Sequence, residues 1–182
     1  MSRSTFNRHK ESIEEIFGVQ IQCDSSDGYK YYLANNDDID EAASSMDAMG
    51  LFLYAEGATF KNLTINGADI YADNNAAALV AFSKGCRYEN ITFTGLGKVH
   101  VDDAVVGALI GASQNDILKL VSVGGGWHIT ADGTGVNAYA GGIVGQATGS
   151  TFTSCSCAAT VVGNDNHVGG IAALATRCTF TD

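Results

Sequence analysis

The sequence predicts an all-β protein, a parallel β-solenoid (β-helix) with a small N-terminal helix-and-hairpin unit that caps it. Three observations lead there. The first is an internal repeat with constant offsets: apolar, apolar three on, apolar two on, small two on. Its copies are Phe60, Leu63, Ile65, Gly67; Tyr88, Ile91, Phe93, Gly95; Leu118, Val121, Val123, Gly125; and Phe152, Cys155, Cys157, Ala159, with Cys178 and Phe180 opening another. Copies start 28, 30, 34 and 28 residues apart, so the length drifts while the core offsets hold, as in a solenoid with variable loops. The second is a short apolar run among tiny residues between copies: Ala77 to Ala81, Gly107 to Gly111, Gly141 to Gly145 and Gly169 to Ala173. The third is the lack of a helical stripe of useful length in any copy; short strands punctuated by Gly fit the period instead.

Composition narrows the function classes. The 182 residues suffice for one domain, or one domain with an appendage, and 22 glycines with no proline leave the sharp turns to Gly, Asn, Asp and Ser. Twenty acidic residues against ten basic ones give a formal charge of -10, which argues against a surface that coats nucleic acid or a polybasic membrane patch. Five cysteines (Cys23, Cys86, Cys155, Cys157 and Cys178) are an odd number for a fully paired framework. Cys155 and Cys157 fill apolar positions of the repeat, where a free thiol packs as a small hydrophobe, so they are expected reduced and buried. The polar start, Met1 to Lys10, is followed by no apolar signal segment, and there is no eighteen-residue apolar stretch. The chain as it stands therefore reads as cytoplasmic, and as extracellular or cell-surface if it belongs to a larger exported protein.

Residues 1–50 form the first expected unit and 51–182 the solenoid of about four repeats. Ser4 or Thr5 can cap a helix to about Phe17, with Phe6, Ile13, Ile16 and Phe17 on its apolar face and Gly18 as its stop. Val19, Ile21 and Cys23 alternate as a strand, Asp27-Gly28 is a hairpin turn signal, and Tyr29, Tyr31 and Leu33 return. Thr5-Phe6-Asn7-Arg8-His9, Ile13-Glu14-Glu15-Ile16-Phe17-Gly18 and the two strands resemble the recognition helix and wing of WYL-type bacterial transcription regulators over residues 3–33. That resemblance implies DNA contacts at Arg3, Arg8, His9 and Lys10. The same apolar face can instead close the solenoid's first turn, the atypical end unit such folds require.

Asn35 to Asp47 is an acidic linker in which Asp40 to Met49 can form a short helix. Leu51, Leu53 and Ala55 then read as the first strand. In the first copy Phe60 to Ile65 and Ala68 to Tyr71 read as separate strands with a corner at Asn66-Gly67, and later copies follow suit. Leu63, Ile91, Val121 and Cys155 should stack in one inward column and Ile65, Phe93, Val123 and Cys157 in the next. Gly141 to Gly145 followed by Thr151-Phe152 and Cys155, with a second copy from Val168 to Cys178, resembles the Gly-Leu-Ile/Val-Gly (GLUG) repeats of bacterial surface proteins over about residues 59–182. That resemblance implies an adhesin-like stalk.

No catalytic, cofactor-binding or metal-ligating set emerges. Asp102 and Asp103 are adjacent on an extended chain and point oppositely, so they are not a hydrolytic pair. His128 and His167 occupy non-equivalent places in their repeats, and no Cys or His spacing matches a zinc site. Gly124 to Gly126 lacks the Lys-Ser/Thr of a phosphate loop. Tyr71, Trp127 and Tyr139 are the aromatics outside the core columns that a glycan could stack on. The leading expectation is a noncatalytic module without cofactor that binds a protein partner, or itself through the solenoid ends, without inserting in a membrane. The alternatives are a glycan-cleaving or glycan-binding β-helix, a DNA-binding regulator fragment, and an acidic DNA-mimic decoy.

Overall fold

The computed structural model describes residues 21–24, 30–33 and 48–182, apart from 103, 134–137 and 165–166. Contacts divide the chain into Met1–Met46 and Asp47–Asp182. In the first unit, β1 (Ile21–Asp24) and β2 (Lys30–Leu33) pair antiparallel, Ile21 opposite Leu33 and Asp24 opposite Lys30. The expected helix over 4–17, its capping role and nearly all of the expected helix over 40–49 lie outside the described residues. Met49 itself is in an isolated parallel bridge with Ala76.

The second unit is a parallel β-solenoid. Its first turn holds β3 (Phe52–Glu56), β4 (Thr59–Ala72) and β5 (Ala76–Ala77); its second β6 (Val80–Lys84), β7 (Arg87–Val101) and β8 (Val105–Gly107). The third holds β9 (Ile110–Gln114), β10 (Ile117–Val123), β11 (Trp127–Ala131) and β12 (Tyr139–Gly141). The fourth holds β13 (Val144–Thr148), β14 (Thr151–Thr153), β15 (Ser156–Cys157), β16 (Thr160–Gly163) and β17 (His167–Gly169), and β18 (Ala172–Thr176) and β19 (Thr179–Thr181) begin a fifth. Stacked turns make three parallel sheets of eight, four and five strands. The expected columns form: Leu63 pairs with Ile91 and Ile91 with Val121, while Ile65, Phe93, Val123 and Cys157 line up likewise.

The expected corner after the core pair is present in the third turn, between β10 and β11, and in the fourth, between β15 and β16, but not in the first two turns. β4 runs through Asn66-Gly67, with only a register shift between Asn66 and Ala68. Gly67 there is at φ 76° and Gly95 at φ 67°, which makes this a bulge in a continuous strand. Two columns of left-handed residues recur from turn to turn: the first separates one strand from the next, while the second lies within β4, β7 and β10 and separates strands only in the fourth turn, between β14 and β15. The first is Gly57, Gly85, Asn115, Gly149 and Arg177; the second is Asn62, Asn90, Leu120 and Ser154, the latter four at φ 50–55°. Asn tolerates this conformation, but Leu and Arg adopt it against a steric penalty, so neighbouring turns must hold them there. Asn90 helps by donating from Nδ2 to Asn62 Oδ1 at 2.8 Å.

Between the turns lies a close-packed core. Phe60 stacks on Tyr88 at 5.1 Å, Phe152 on Phe180 at 4.6 Å, and Phe93 meets Trp127 edge-on at 5.0 Å. Trp127 is fully buried, and its Nε1 donates to the Thr94 carbonyl at 3.0 Å. Gly97, its register partner, leaves room for the indole: a Cβ there would lie 2.4 Å from the ring.

One corner of this interior is polar. The column Ala58, Cys86, Asp116, Ser150, Cys178 follows the first set of left-handed residues, so some of its N–H groups turn inward and need acceptors. Asp116 Oδ1 accepts from Cys86 N at 2.7 Å, and Ser150 Oγ accepts from Asp116 N at 3.1 Å. Ser113 Oγ donates to Asp116 Oδ2 at 2.6 Å and also lies 2.9 Å from Ser150 Oγ. Asp116 is only 1% exposed; burial pushes its carboxyl above the ordinary range, against these hydrogen bonds, which pull the other way.

The thiols divide by turn. Cys86 is buried, its Sγ–H donating to the Ala55 carbonyl at 3.3 Å. Cys155 and Cys157 are free but only half-buried, contrary to expectation. They belong to the fourth turn and have the third-turn column on one side only. Partial burial still raises both above the usual thiol value.

Candidate functional site

Alternation along β4, β7 and β11 turns one side chain in two outward and brings outward residues of successive turns into register. At the far end of these strands this places Tyr71 beside His100, ring on ring at 4.6 Å and 11°. Tyr71 Oη donates to Asp102, 2.8 Å from Oδ1 and 2.9 Å from Oδ2. His100 Nε2 lies 3.2 Å from Asp102 Oδ1 and 3.6 Å from Asp132 Oδ2. The hydroxyl of Tyr71, then the His100 bond, hold the Asp102 carboxyl below its usual range, and the same contact with Asp102 raises the Tyr71 phenol. Asp73, Asp102 and Asp132 follow the same strand end in three consecutive turns, so the corner presents a short acidic column. The two carboxylates that meet His100 are about half exposed.

The sequence reading singles out His9, His128 and His167 and passes over His100. The signal was there: Val99-His100-Val101 alternates, which points His100 outward, and the repeat offset sets it against Tyr71.

The three aromatics proposed for a glycan do not form one site. Tyr71 is exposed on the eight-stranded sheet. Tyr139 is on the four-stranded sheet, its ring 4.9 Å from His167. Trp127 is wholly buried and offers no face to a sugar. Arg3, Arg8, His9 and Lys10 lie outside the described residues, as does Asp103.

A second outward feature is a groove of about 360 Å³ across the five-stranded sheet, among Tyr54, Phe82, Lys84, Ala112, Gln114 and Gln146. It arises because the column Tyr54, Phe82, Ala112, Gln146 drops from two rings to a methyl and rises again. Lys84 Nζ is tied to Glu56 Oε1 at 2.8 Å, and Tyr54 Oη donates to Glu56 Oε2 at 3.0 Å. Glu56 is lowered and Lys84 raised, each chiefly by the other.

Chemically, both places suit binding. Among the described residues no three His, Cys, Asp or Glu side chains stand close enough to share a metal ion. His100 is engaged by the carboxylates of Asp102 and Asp132 and by the ring of Tyr71. No helix of the described residues is long and apolar enough to cross a membrane.

Comparison with known protein families, with curated proteins and with solved structures gives no match. Neither resemblance drawn from the sequence therefore stands. The stretch read as GLUG repeats is a parallel solenoid without a matching family. Within the stretch read as a WYL-type recognition helix and wing, the described residues are those of the β1–β2 hairpin, and the described residues contain no helix.

Proposed function

We infer that this chain is a noncatalytic binding module whose solenoid presents its lateral faces to a macromolecular partner, in adhesin-like fashion. The observation that supports this is the division of labour in the columns. The residues that recur from turn to turn face inward or shape corners, while outward positions vary, as in Tyr71, His100, Thr130 and Val162. Shape is repeated and surface chemistry is tuned, which is how solenoids build extended binding surfaces. A protein of basic character is the first partner to consider, because the net charge is -10 and the corner gathers Asp73, Asp102 and Asp132.

Two measurements on the full chain test this. Incubation with neutral and acidic polysaccharides should release no reducing ends. Cross-linking in extracts of the source cells should join the chain to a basic protein, with a yield that falls with salt and drops about tenfold when Asp73, Asp102 and Asp132 are all changed to Asn. Release of reducing ends, or cross-linking indifferent to salt and to the triple change, overturns the reading.

A further inference from the structure

We propose that the groove on the five-stranded sheet binds a neutral oligosaccharide lying along the solenoid axis, stacked on Tyr54 and Phe82 and hydrogen-bonded by Gln114 and Gln146. This rests on the binding-module reading but concerns a different face from the acidic corner.

Four features select the ligand class. The first is that the main chain of the inner strands under the groove is committed: β6 pairs with both β3 and β9, and β13 with both β9 and β18. An extended peptide cannot add here by strand pairing, so recognition falls to side chains. The second is the side chains themselves. Tyr54 is 56% exposed and Phe82 37% exposed, two flat faces on adjacent turns. They border Gln114, Gln146 and Thr148, neutral groups that both donate and accept hydrogen bonds. An apolar face beside paired donors and acceptors matches a sugar ring, with C–H groups on its face and hydroxyls at its edge. The third is charge: Lys84, the one cation among the described residues that line the groove, is paired with Glu56 at 2.8 Å, so the described lining of the groove carries no net charge. The fourth is direction. The groove crosses strands, so its groups recur at the strand spacing of roughly 4.8 Å, close to the length of one pyranose unit. Its volume of about 360 Å³ suits a few such units.

The experiment titrates the full chain by calorimetry with a panel of neutral hexasaccharides: β-1,4-glucan, β-1,3-glucan, β-1,4-mannan and chitin types. Hexagalacturonate and hexameric chitosan serve as charged controls. At least one neutral member should bind, with little salt dependence, and Tyr54→Ala and Phe82→Ala should each weaken it about tenfold. Ala112→Arg, which fills the groove from a central strand, should abolish binding while the circular dichroism spectrum and melting temperature stay those of the parent. No binding by any neutral member, binding by the charged controls alone, or binding unaffected by Ala112→Arg refutes the proposal. Failure here alongside salt-sensitive capture at the acidic corner refutes the glycan groove and leaves the binding-module reading intact.

Discussion

Replacing Asp116 tests how the interior tolerates a carboxyl group. In Asp116→Ala, Cys86 N–H loses its acceptor at 2.7 Å and Ser113 Oγ its acceptor at 2.6 Å. Ser113 can rotate toward Ser150 Oγ, 2.9 Å away, so one buried donor is left without a partner. An orphaned buried donor costs about 1–3 kcal/mol, and a small void adds to it, so the loss should be about 2–3 kcal/mol. For a chain of this size that is a fall in melting temperature of about 8 °C. Asp116→Asn keeps an acceptor for Cys86 and gives a donor to Ser113. Its effect should depend on pH, with the sign set by the raised carboxyl. A folded-state value above the unfolded one means that the folded chain holds the proton more tightly. The stability linked to that proton is complete below the unfolded value near 3.9 and is lost as pH rises through the raised folded value. Relative to the parent, Asp116→Asn should therefore be near neutral at low pH and become stabilising toward neutral pH. Urea denaturation of the parent and both variants across this range measures it. If Asp116→Asn grows less stable than the parent as pH rises, the hydrogen bonds outweigh burial, and the reasoning about this corner fails.

Three further outcomes follow from the packing and the charge. Gly97→Ala should destabilise by about 1–3 kcal/mol, because the new methyl meets the Trp127 ring, and denaturant titration followed by indole fluorescence should report it; an unchanged midpoint would show that the indole can shift freely. Native-state alkylation mapped by mass spectrometry should find Cys86 protected and Cys155 and Cys157 partly reactive, with all three fast in denaturant; equal native rates at Cys86 and Cys155 would contradict the burial difference. Duplex DNA should bind more weakly than ~100 μM at physiological salt, and a tight complex that loosens steeply with salt would count against that.

Much of the fold was legible because a solenoid writes its core as a period. Leu63, Ile91, Val121 and Cys155 share one offset, and the structure sets the first three in direct register. The left-handed positions were hidden because their requirement is for a backbone angle, which Asn62, Asn90, Leu120 and Ser154 meet with three different side chains. Asn66-Gly67 misled for the complementary reason: the pair suits a turn, but a bulge asks for the same glycine. Trp127 looked peripheral since it lies outside the core offsets; the missing side chain of Gly97, one turn away, is what admits it to the interior. The surface was harder to read. The Tyr71–His100 stack needed the register between turns, and the groove needed the dip at Ala112 between Phe82 and Gln146.

Parallel turns stacked in this register bring defined methyl pairs together, and methyl NOEs on a chain labelled at Ile, Leu and Val report those pairs. Leu63 should show contacts to Ile91, and Ile91 to Val121. Leu63 and Val121 should show none, being two strand spacings, roughly 10 Å, apart. Contacts from Leu63 to Val121 that bypass Ile91, or an absence of contact between Leu63 and Ile91, would contradict the solenoid.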